Sequence, residues 1–290
     1  MSAGHNTRLG IVLMVGTTFV FAVQDGLSLH LSSTYNVYMV VMVRYWFFAA
    51  FVITISAKQV GGIRNAARTH QPYLQGFRGV LLATEICVMV TGFTYLGLVE
   101  SLAIFSSYTL IVAAMSGPIL GEIVGWRRWM AIFAGLCGVL IILKPGMGVF
   151  SVYAIIPLIA ASMFALYRLL TRYVARQDST ATSFFWTGVT GCIVMTFVGM
   201  FHLEDMIPAD WLLMLCLCFT GATGHWLLIR CYEVAEASAV QPFTYLQLVF
   251  GAAIGVMVFG EVIETNVAVG AVLVVAAGLF TLWRARVSVT

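Results

Sequence analysis

Three ionisable residues, Asp25, Arg44 and Glu85, stand deep inside apolar runs that are long enough to cross a lipid bilayer. An ionisable side chain at that depth is costly, so each one marks a functional site or needs a partner. At about 1.5 Å of rise per helical residue, they lie roughly 15–25 Å from one end of three successive helices and can meet near the midplane. They form either a cluster that binds substrate or a coupling proton, or an ion pair in which Arg44 fixes the packing. Gln24, which precedes Asp25, is a further candidate.

Polar residues also recur in the fourth and ninth apolar runs, and each run contains a proline. Proline removes a backbone donor and frees a carbonyl group one turn back. Lipid tolerates that only beside protein or a water-filled cavity, so we expect both runs to line a central path. Their hydroxyl groups alternatively form interhelical hydrogen bonds worth about 1 kcal/mol or less. The path residues predicted from these two runs are Ser107, Tyr108, Gln241, Tyr245 and Gln247.

Aromatic side chains within the apolar runs are the remaining candidates. A flat ring system would need aromatic faces, which Trp46, Trp186 and Tyr245 can supply. A free aromatic amino acid could be bound by such faces equally well. The alternative is that these aromatic side chains only pack within the helix bundle. His225, flanked by apolar residues, is either a satisfied core histidine or a proton relay.

The elements that position these residues are membrane helices. The chain is 61% hydrophobic and only 9% charged, whereas a soluble domain carries about 25% charged residues. Apolar windows of about 20 residues predict an all-α integral membrane protein with about ten transmembrane helices. The predicted spans are 9–28, 36–57, 74–96, 98–121, 126–144, 151–172, 181–201, 210–232, 236–260 and 264–284.

Composition excludes several other classes. The net charge of +3 comes without blocks of Lys or Arg, so nothing points to nucleic acid. The six cysteines show no C-x-x-C pair and no Cys/His spacing for zinc, so we interpret them as packing residues and predict no metal and no cofactor.

Lys and Arg gather on one side of the predicted bundle, which places both termini in the cytoplasm. The outer side keeps only Lys144. The inner side holds Arg8, Lys58, Arg64, Arg68, Arg78, Arg127, Arg128, Arg172, Arg176, Arg284 and Arg286.

Two Gly-Glu pairs, Gly121-Glu122 and Gly260-Glu261, each precede an apolar helix and lie about half a chain apart. This duplication predicts two five-helix repeats, 1–147 and 148–290. Because five is odd, the second repeat enters the membrane from the opposite side, so the repeats are inverted. The two glutamates then anchor helix ends at opposite faces, or carry protons. Glycines in helices five and ten indicate close helix packing or a homodimer contact.

Several segments together resemble the drug/metabolite transporter superfamily, in particular the ten-helix EamA-type transporters with two EamA repeats. The Gln24-Asp25-Gly26 and Arg44-Tyr45-Trp46-Phe47-Phe48 segments are most similar to bacterial riboflavin transporters. The family also contains amino-acid exporters and an S-adenosylmethionine uptake group. Further segments that carry the resemblance are Gly224-His225-Trp226, Gln241-Pro242-Phe243-Thr244-Tyr245 and Phe259-Gly260-Glu261.

The resemblance implies a secondary transporter of the bacterial inner membrane that moves a small metabolite by alternating access, with riboflavin uptake as the first expectation. Export of amino acids or related metabolites and S-adenosylmethionine uptake are the alternatives. A channel or a non-transporting scaffold would also be a membrane protein of this kind. An intramembrane enzyme is the distant alternative, because H-E-x-x-H and G-x-S-x-G motifs are absent. The expected partners are a solute and the lipid bilayer.

Overall fold

The structure, a computed structural model, describes residues 7–58, 62–121, 125–143, 152–235 and 240–287. Every regular element within these ranges is helical. Glu122 and Lys144, which the sequence placed at membrane faces, lie outside the described residues. The helices are α1 (Thr7–Thr34), α2 (Val37–Lys58), α3 (Gly62–Ala67), α4 (Pro72–Leu96), α5 (Leu98–Phe105), α6 (Tyr108–Leu120), α7 (Trp126–Leu143), α8 (Ile155–Val174), α9 (Thr180–Gly199), α10 (Pro208–Val234), α11 (Leu246–Phe259) and α12 (Thr265–Val287).

Ten segments of the described chain are long and apolar enough to cross a membrane, which confirms the predicted all-α membrane architecture. Most observed bounds fall within a few residues of the predicted ones. The first span is the main difference, since α1 continues to Thr34 rather than ending at residue 28. Its last turns hold polar residues whose hydroxyls stay within the helix. Ser28 and Ser33 each donate to a carbonyl four residues back, at 2.8 and 2.7 Å.

Both the fourth and the ninth span depart from regular α-helix at polar residues: the fourth is interrupted within its length, and the ninth is irregular where it begins. The fourth consists of α5 and α6, which are separated at Ser106 and Ser107. The ninth begins with the 3₁₀ turn Gln241–Tyr245, which contains Pro242 and leads directly into α11. Proline fits such a turn because it has no N–H group, and N–H groups at the beginning of a helix have no acceptor within the helix.

The most extensive helix pairings are preserved when the first five spans are exchanged with the last five. Helix α1 packs against α10 and α11, and α8 packs correspondingly against α4 and against α5 and α6. The pairs α2–α9 and α7–α12 map onto themselves. The two halves are therefore interlocked rather than set side by side. An approximate two-fold relation gives this pattern, while the inversion of the repeats and the boundary at residue 147 stay predictions.

Glycines bring α7 and α12 into backbone contact. A Cβ atom added to Gly270 would lie 2.5 Å from the Gly138 carbonyl oxygen, and one added to Gly138 would lie 2.8 Å from the Gly270 carbonyl oxygen. Gly278 on α12 leaves space for the Tyr245 hydroxyl of the ninth span. The glycine spacing in these helices thus serves packing within one chain. A homodimer contact through them stays a prediction.

Gly270→Leu should lower the free energy of unfolding by about 1–3 kcal/mol or more, because the side chain would meet backbone that has no room to move. Gly76→Ala in α4 is the matched control, since a Cβ there meets no atom within 4 Å. Thermal unfolding of both purified variants in detergent checks this. Equal midpoints for Gly270→Leu and the unmodified protein would contradict the close packing.

Candidate functional site

Asp25, Arg44 and Glu85 meet between α1, α2 and α4. Both carboxylates interact electrostatically with Arg44 and with each other. Within the described chain, neither carboxylate lies within 4.0 Å of a guanidinium nitrogen. The structure therefore brings the three residues together, but the direct pairing considered for Arg44 is not formed, and one guanidinium is shared by two acids. We call these three residues, together with Gln247, the Arg44 cluster.

Gln247 joins the cluster from the second half of the chain. Its amide nitrogen on α11 donates to Asp25 Oδ2 at 2.8 Å. Asp25 is half-buried, whereas Glu85 is only 3% exposed and accepts no hydrogen bond from a described residue. The two acids thus have different surroundings, because only Asp25 receives a donor.

Gln24 and α10 close the cluster on another side. A Cβ atom on Gly221 would lie 3.1 Å from Gln24 Oε1 and 3.8 Å from Arg44 Nε. Glycine at this position allows α10 to approach both polar groups. Gln24 is 5% exposed, and its Oε1 atom has no hydrogen-bond partner in the described structure. A buried oxygen without a partner costs free energy, so it is a candidate contact for water or solute.

An aromatic wall surrounds His225 next to the Arg44 cluster. The ring centroids of Phe21 and Phe48 lie 5.3 Å from the His225 ring, and that of Phe184 lies 5.7 Å away. Phe48 and Phe184 also contact each other edge to face at 5.1 Å. These rings come from α1, α2, α9 and α10, so both halves of the chain contribute.

The aromatic residues predicted for this role lie elsewhere. Trp46 is 45% exposed on the outer face of α2, where its indole donates to Thr196 Oγ1 at 2.7 Å. Trp186 donates to the Ala67 carbonyl at the end of α3. A helix turns about 100° per residue, so Trp46, two positions after Arg44, points away from it. Phe48, four positions after Arg44, shares its face.

The remaining predicted residues form separate groups. Tyr108 packs edge to face on Phe164 at 4.9 Å, and the Arg168 guanidinium lies 5.6 Å from the Tyr108 ring centre. Ser107 is fully buried in the break between α5 and α6. Gln241 is half-buried at the start of the ninth span. That any of these residues lines a path stays a prediction.

Tyr245 is buried and its hydroxyl lies 2.6 Å from Thr109 Oγ1, so it joins the interrupted regions of the fourth and ninth spans. The contact connects the two halves of the chain. It does not extend to the Arg44 cluster.

A cavity of about 30 Å³ adjoins Arg44, Tyr45, Phe48, Gly221 and His225. One water molecule needs about 10–15 Å³ of such space, so the cavity has room for one or two. Sites for small organic ligands measure roughly 300–1,000 Å³. The described conformation is therefore closed around the Arg44 cluster, and a metabolite would require the halves to separate.

One end of the bundle is closed by a polar network between the halves. We call the end at which α1 begins the terminal side. Asp178, in the turn between α8 and α9, accepts hydrogen bonds from Thr69 Oγ1, from the His70 backbone N–H at 3.0 Å and from Gln75 Nε2 at 2.8 Å. Burial acts to raise the pKa of Asp178, but these donors outweigh it, and its pKa is lowered from the ordinary value.

Arg78 extends this network into the bundle. It is 1% exposed and donates to Gln75 Oε1 and, at 3.1 and 2.9 Å, to Thr171 Oγ1 on α8. Its guanidinium also lies 5.1 Å from the Tyr167 ring centre. The sequence predicted Arg78 only as one of many cytoplasmic charges.

The opposite end, the far side, is closed by different contacts between the halves. The Glu261 carboxylate accepts the backbone N–H groups of Leu98 at 2.6 Å and Val99 at 2.8 Å, at the beginning of α5. An anion at a helix N-terminus satisfies free donors and complements the helix dipole. The Tyr35 hydroxyl donates to Asp210 Oδ2 at 2.7 Å. Glu261 thus anchors a helix end, but the helix belongs to the other half.

Comparison with known proteins agrees with this architecture. The model of the EamA-like transporter family matches residues 8–144 and again residues 151–283. The riboflavin transporter of Vibrio cholerae is 26% identical over 99% of this chain and 98% of its own. The S-adenosylmethionine uptake transporter of Rickettsia prowazekii is 23% identical over 97% and 95%. Family and relatives point to a transporter rather than an enzyme.

A solved crystal structure shares the fold. It superposes with a TM-score of 0.60 over 96% of this chain and 97% of the other, at 16% identity. The helical arrangement described above thus occurs in an experimentally determined protein.

Asp178→Asn should destabilise the protein at pH 7 by about 1–3 kcal/mol, because it removes the buried charge to which Thr69, His70 and Gln75 donate. A lowered pKa means that the ionised group stabilises the fold above its ordinary pKa, and that this contribution is lost as the pH falls through the lowered value. The difference from the unmodified protein should therefore shrink below pH 4. Thermal unfolding at several pH values measures it, with exposed Asp205→Asn as the control. A difference that does not change with pH would contradict this role.

Proposed function

The chain belongs to the EamA-like transporter family, and from this premise we propose that it imports riboflavin across the bacterial inner membrane, with both termini in the cytoplasm. The ten apolar spans of the described chain make it a multi-pass membrane protein. The excess of Lys and Arg on the terminal side supports the orientation. A riboflavin transporter among its relatives supports the substrate.

The Arg44 cluster and its aromatic wall are the observation that carries the proposal. Riboflavin has a flat ring with hydrogen-bonding edges and a polar chain. Phe48, Phe184 and His225 offer ring faces at 5–6 Å spacing, which suits stacking. Arg44 and Gln24 offer a donor and an acceptor beside them. The site lies between the halves, where a transporter with alternating access binds its solute.

Transport then follows from opening one end at a time. The Asp178 network closes the terminal side and the Glu261 and Tyr35 contacts close the far side. We infer that rocking of the two halves breaks one set while the other holds, and that the 30 Å³ cavity widens to admit the solute. Both sets are hydrogen bonds of modest net worth, about 0.5–3 kcal/mol each, so solute binding can shift the balance.

S-adenosylmethionine uptake is the second candidate, and the charge of the site favours it. Two carboxylates, Asp25 and Glu85, face a single guanidinium. The sulfonium group of S-adenosylmethionine is a cation that could balance the second carboxylate in place of a proton, and its adenine ring could use the same aromatic wall. A relative named for this uptake supports the alternative.

Riboflavin uptake in a strain that cannot synthesise the vitamin tests the proposal. The unmodified chain should restore growth on low external riboflavin. Arg44→Ala should reduce initial uptake by about tenfold or more, because it removes a charged donor worth about 1.5–3 kcal/mol. Arg127→Ala, which changes an exposed arginine on α7, is the control. Accumulation of labelled S-adenosylmethionine without any rescue by riboflavin would favour the second candidate.

A matched pair on α2 tests the aromatic wall. Phe48→Leu should raise the KM for riboflavin about two- to tenfold, the equivalent of a lost ring contact of about 0.5–1.5 kcal/mol. Trp46→Leu changes an aromatic residue on the other face of the same helix and should leave the KM unchanged. Initial uptake rates at several riboflavin concentrations give both values. An effect of Trp46→Leu that equals or exceeds that of Phe48→Leu would place the solute elsewhere.

A further inference from the structure

Glu85 is the most isolated ionisable group in the described membrane core. It is 3% exposed on α4, lies more than 4.0 Å from any described cationic nitrogen, and accepts no hydrogen bond from a described residue. An ionised carboxylate in such surroundings would lack the donors that replace its lost hydration. The neutral, protonated form of Glu85 is therefore more stable in these surroundings than the ionised form.

Among the described residues, Arg44 supplies the one positive charge that acts on Glu85. The opposing acid is Asp25. The other titratable side chains of this region are Tyr45 on α2, Cys87 on α4 itself, Tyr167 on α8, Cys192 on α9, and Cys218 and His225 on α10. With Asp25, Arg44 and Glu85 all charged, the cluster would carry net negative charge inside the bilayer. One proton shared by the two acids makes it neutral.

The hydrogen bond to Asp25 decides which acid holds that proton. Gln247 donates to Asp25 Oδ2 at 2.8 Å, and a donor stabilises the ionised form of a carboxylate. Glu85 has no such donor. The proton therefore resides on Glu85, and Asp25 remains the partner of Arg44.

We propose that Glu85 binds the proton that couples solute import to the proton gradient, an inference that rests on the proposed transport function. A solute that takes hydrogen bonds from Arg44 weakens the attraction of Arg44 for the carboxylates. Proton binding at Glu85 then becomes more favourable, and by linkage the proton strengthens solute binding in return. Proton and solute are carried together, and the proton leaves the carboxylate on the side where the solute is released.

The cavity beside Arg44 is bordered by Leu82 and Ile86, which lie on either side of Glu85 in the sequence of α4. It has room for one or two water molecules and is lined by Tyr45 and His225. The Tyr45 hydroxyl and Gln24 Oε1 are buried without a described hydrogen-bond partner. Gln24 Oε1 lies 3.1 Å from the position of a Cβ atom on Gly221, which lines this cavity. Water that enters when one end opens can therefore bridge these groups to the carboxylate.

Proteoliposomes with the membrane potential clamped test this coupling. An inward proton gradient should drive riboflavin accumulation in the unmodified protein, up to about tenfold per pH unit for one proton per solute. Glu85→Gln, a neutral analogue of the same size, should lose this accumulation. Asp205→Asn, at an exposed carboxylate, is the control. Gradient-driven accumulation by Glu85→Gln, or exchange by the unmodified protein without any gradient effect, would overturn the proposal.

A second measurement uses the unmodified protein alone. Riboflavin binding to detergent-purified protein in weakly buffered solution should take up protons at an alkaline pH at which part of Glu85 is ionised before binding, detected by a pH indicator. Glu85→Asp, which keeps the acid, should still take up protons. Binding without proton uptake would overturn the role of Glu85, whereas the absence of both binding and exchange would refute the transport function itself.

Discussion

A charged side chain inside a bilayer needs an opposite charge, hydrogen bonds or a neutralising proton, and this requirement determines how the side chains at the centre of the molecule are arranged. Arg44 interacts electrostatically with both Asp25 and Glu85, and Gln247 donates a hydrogen bond to Asp25. These groups come from α1, α2, α4 and α11, so satisfying them draws both halves of the chain together. The contacts that hold the two halves together here are therefore the same contacts that form the candidate site. Glu85 accepts no hydrogen bond from a described residue, and for this reason we propose it as the group that binds the coupling proton.

The closed conformation follows from how the halves interlock. Asp178 gathers donors from the segment before α4 at the terminal side, and Glu261 caps α5 at the far side. Each contact joins an element of one half to an element of the other. In the cycle that we propose, opening either end breaks these local hydrogen bonds and leaves the glycine contact between α7 and α12 in place. The duplicated Gly-Glu segment therefore acts, in its second copy, on the opposite repeat.

The hydropathy of the sequence was sufficient to predict the ten spans. The positions of Asp25, Arg44 and Glu85 along their own helices were sufficient to predict that they meet, because their depth in the membrane follows from the rise per residue. The aromatic wall was missed, because aromatic residues were chosen by type. The spacing of four from Asp25 back to Phe21 and from Arg44 forward to Phe48 would have identified it. The Asp178 network has no local signal, since its partners lie about 100 residues away in the chain.

A structure determined with riboflavin present tests the central claim, that the Arg44 cluster is the solute site, most directly. The account predicts that the flavin ring lies against Phe48 and His225, within hydrogen-bond distance of Arg44, in a cavity several times larger than the present 30 Å³. Riboflavin bound away from this cluster, for example in the open apolar groove between α7 and α12 that Met130 and Leu273 line, would contradict it.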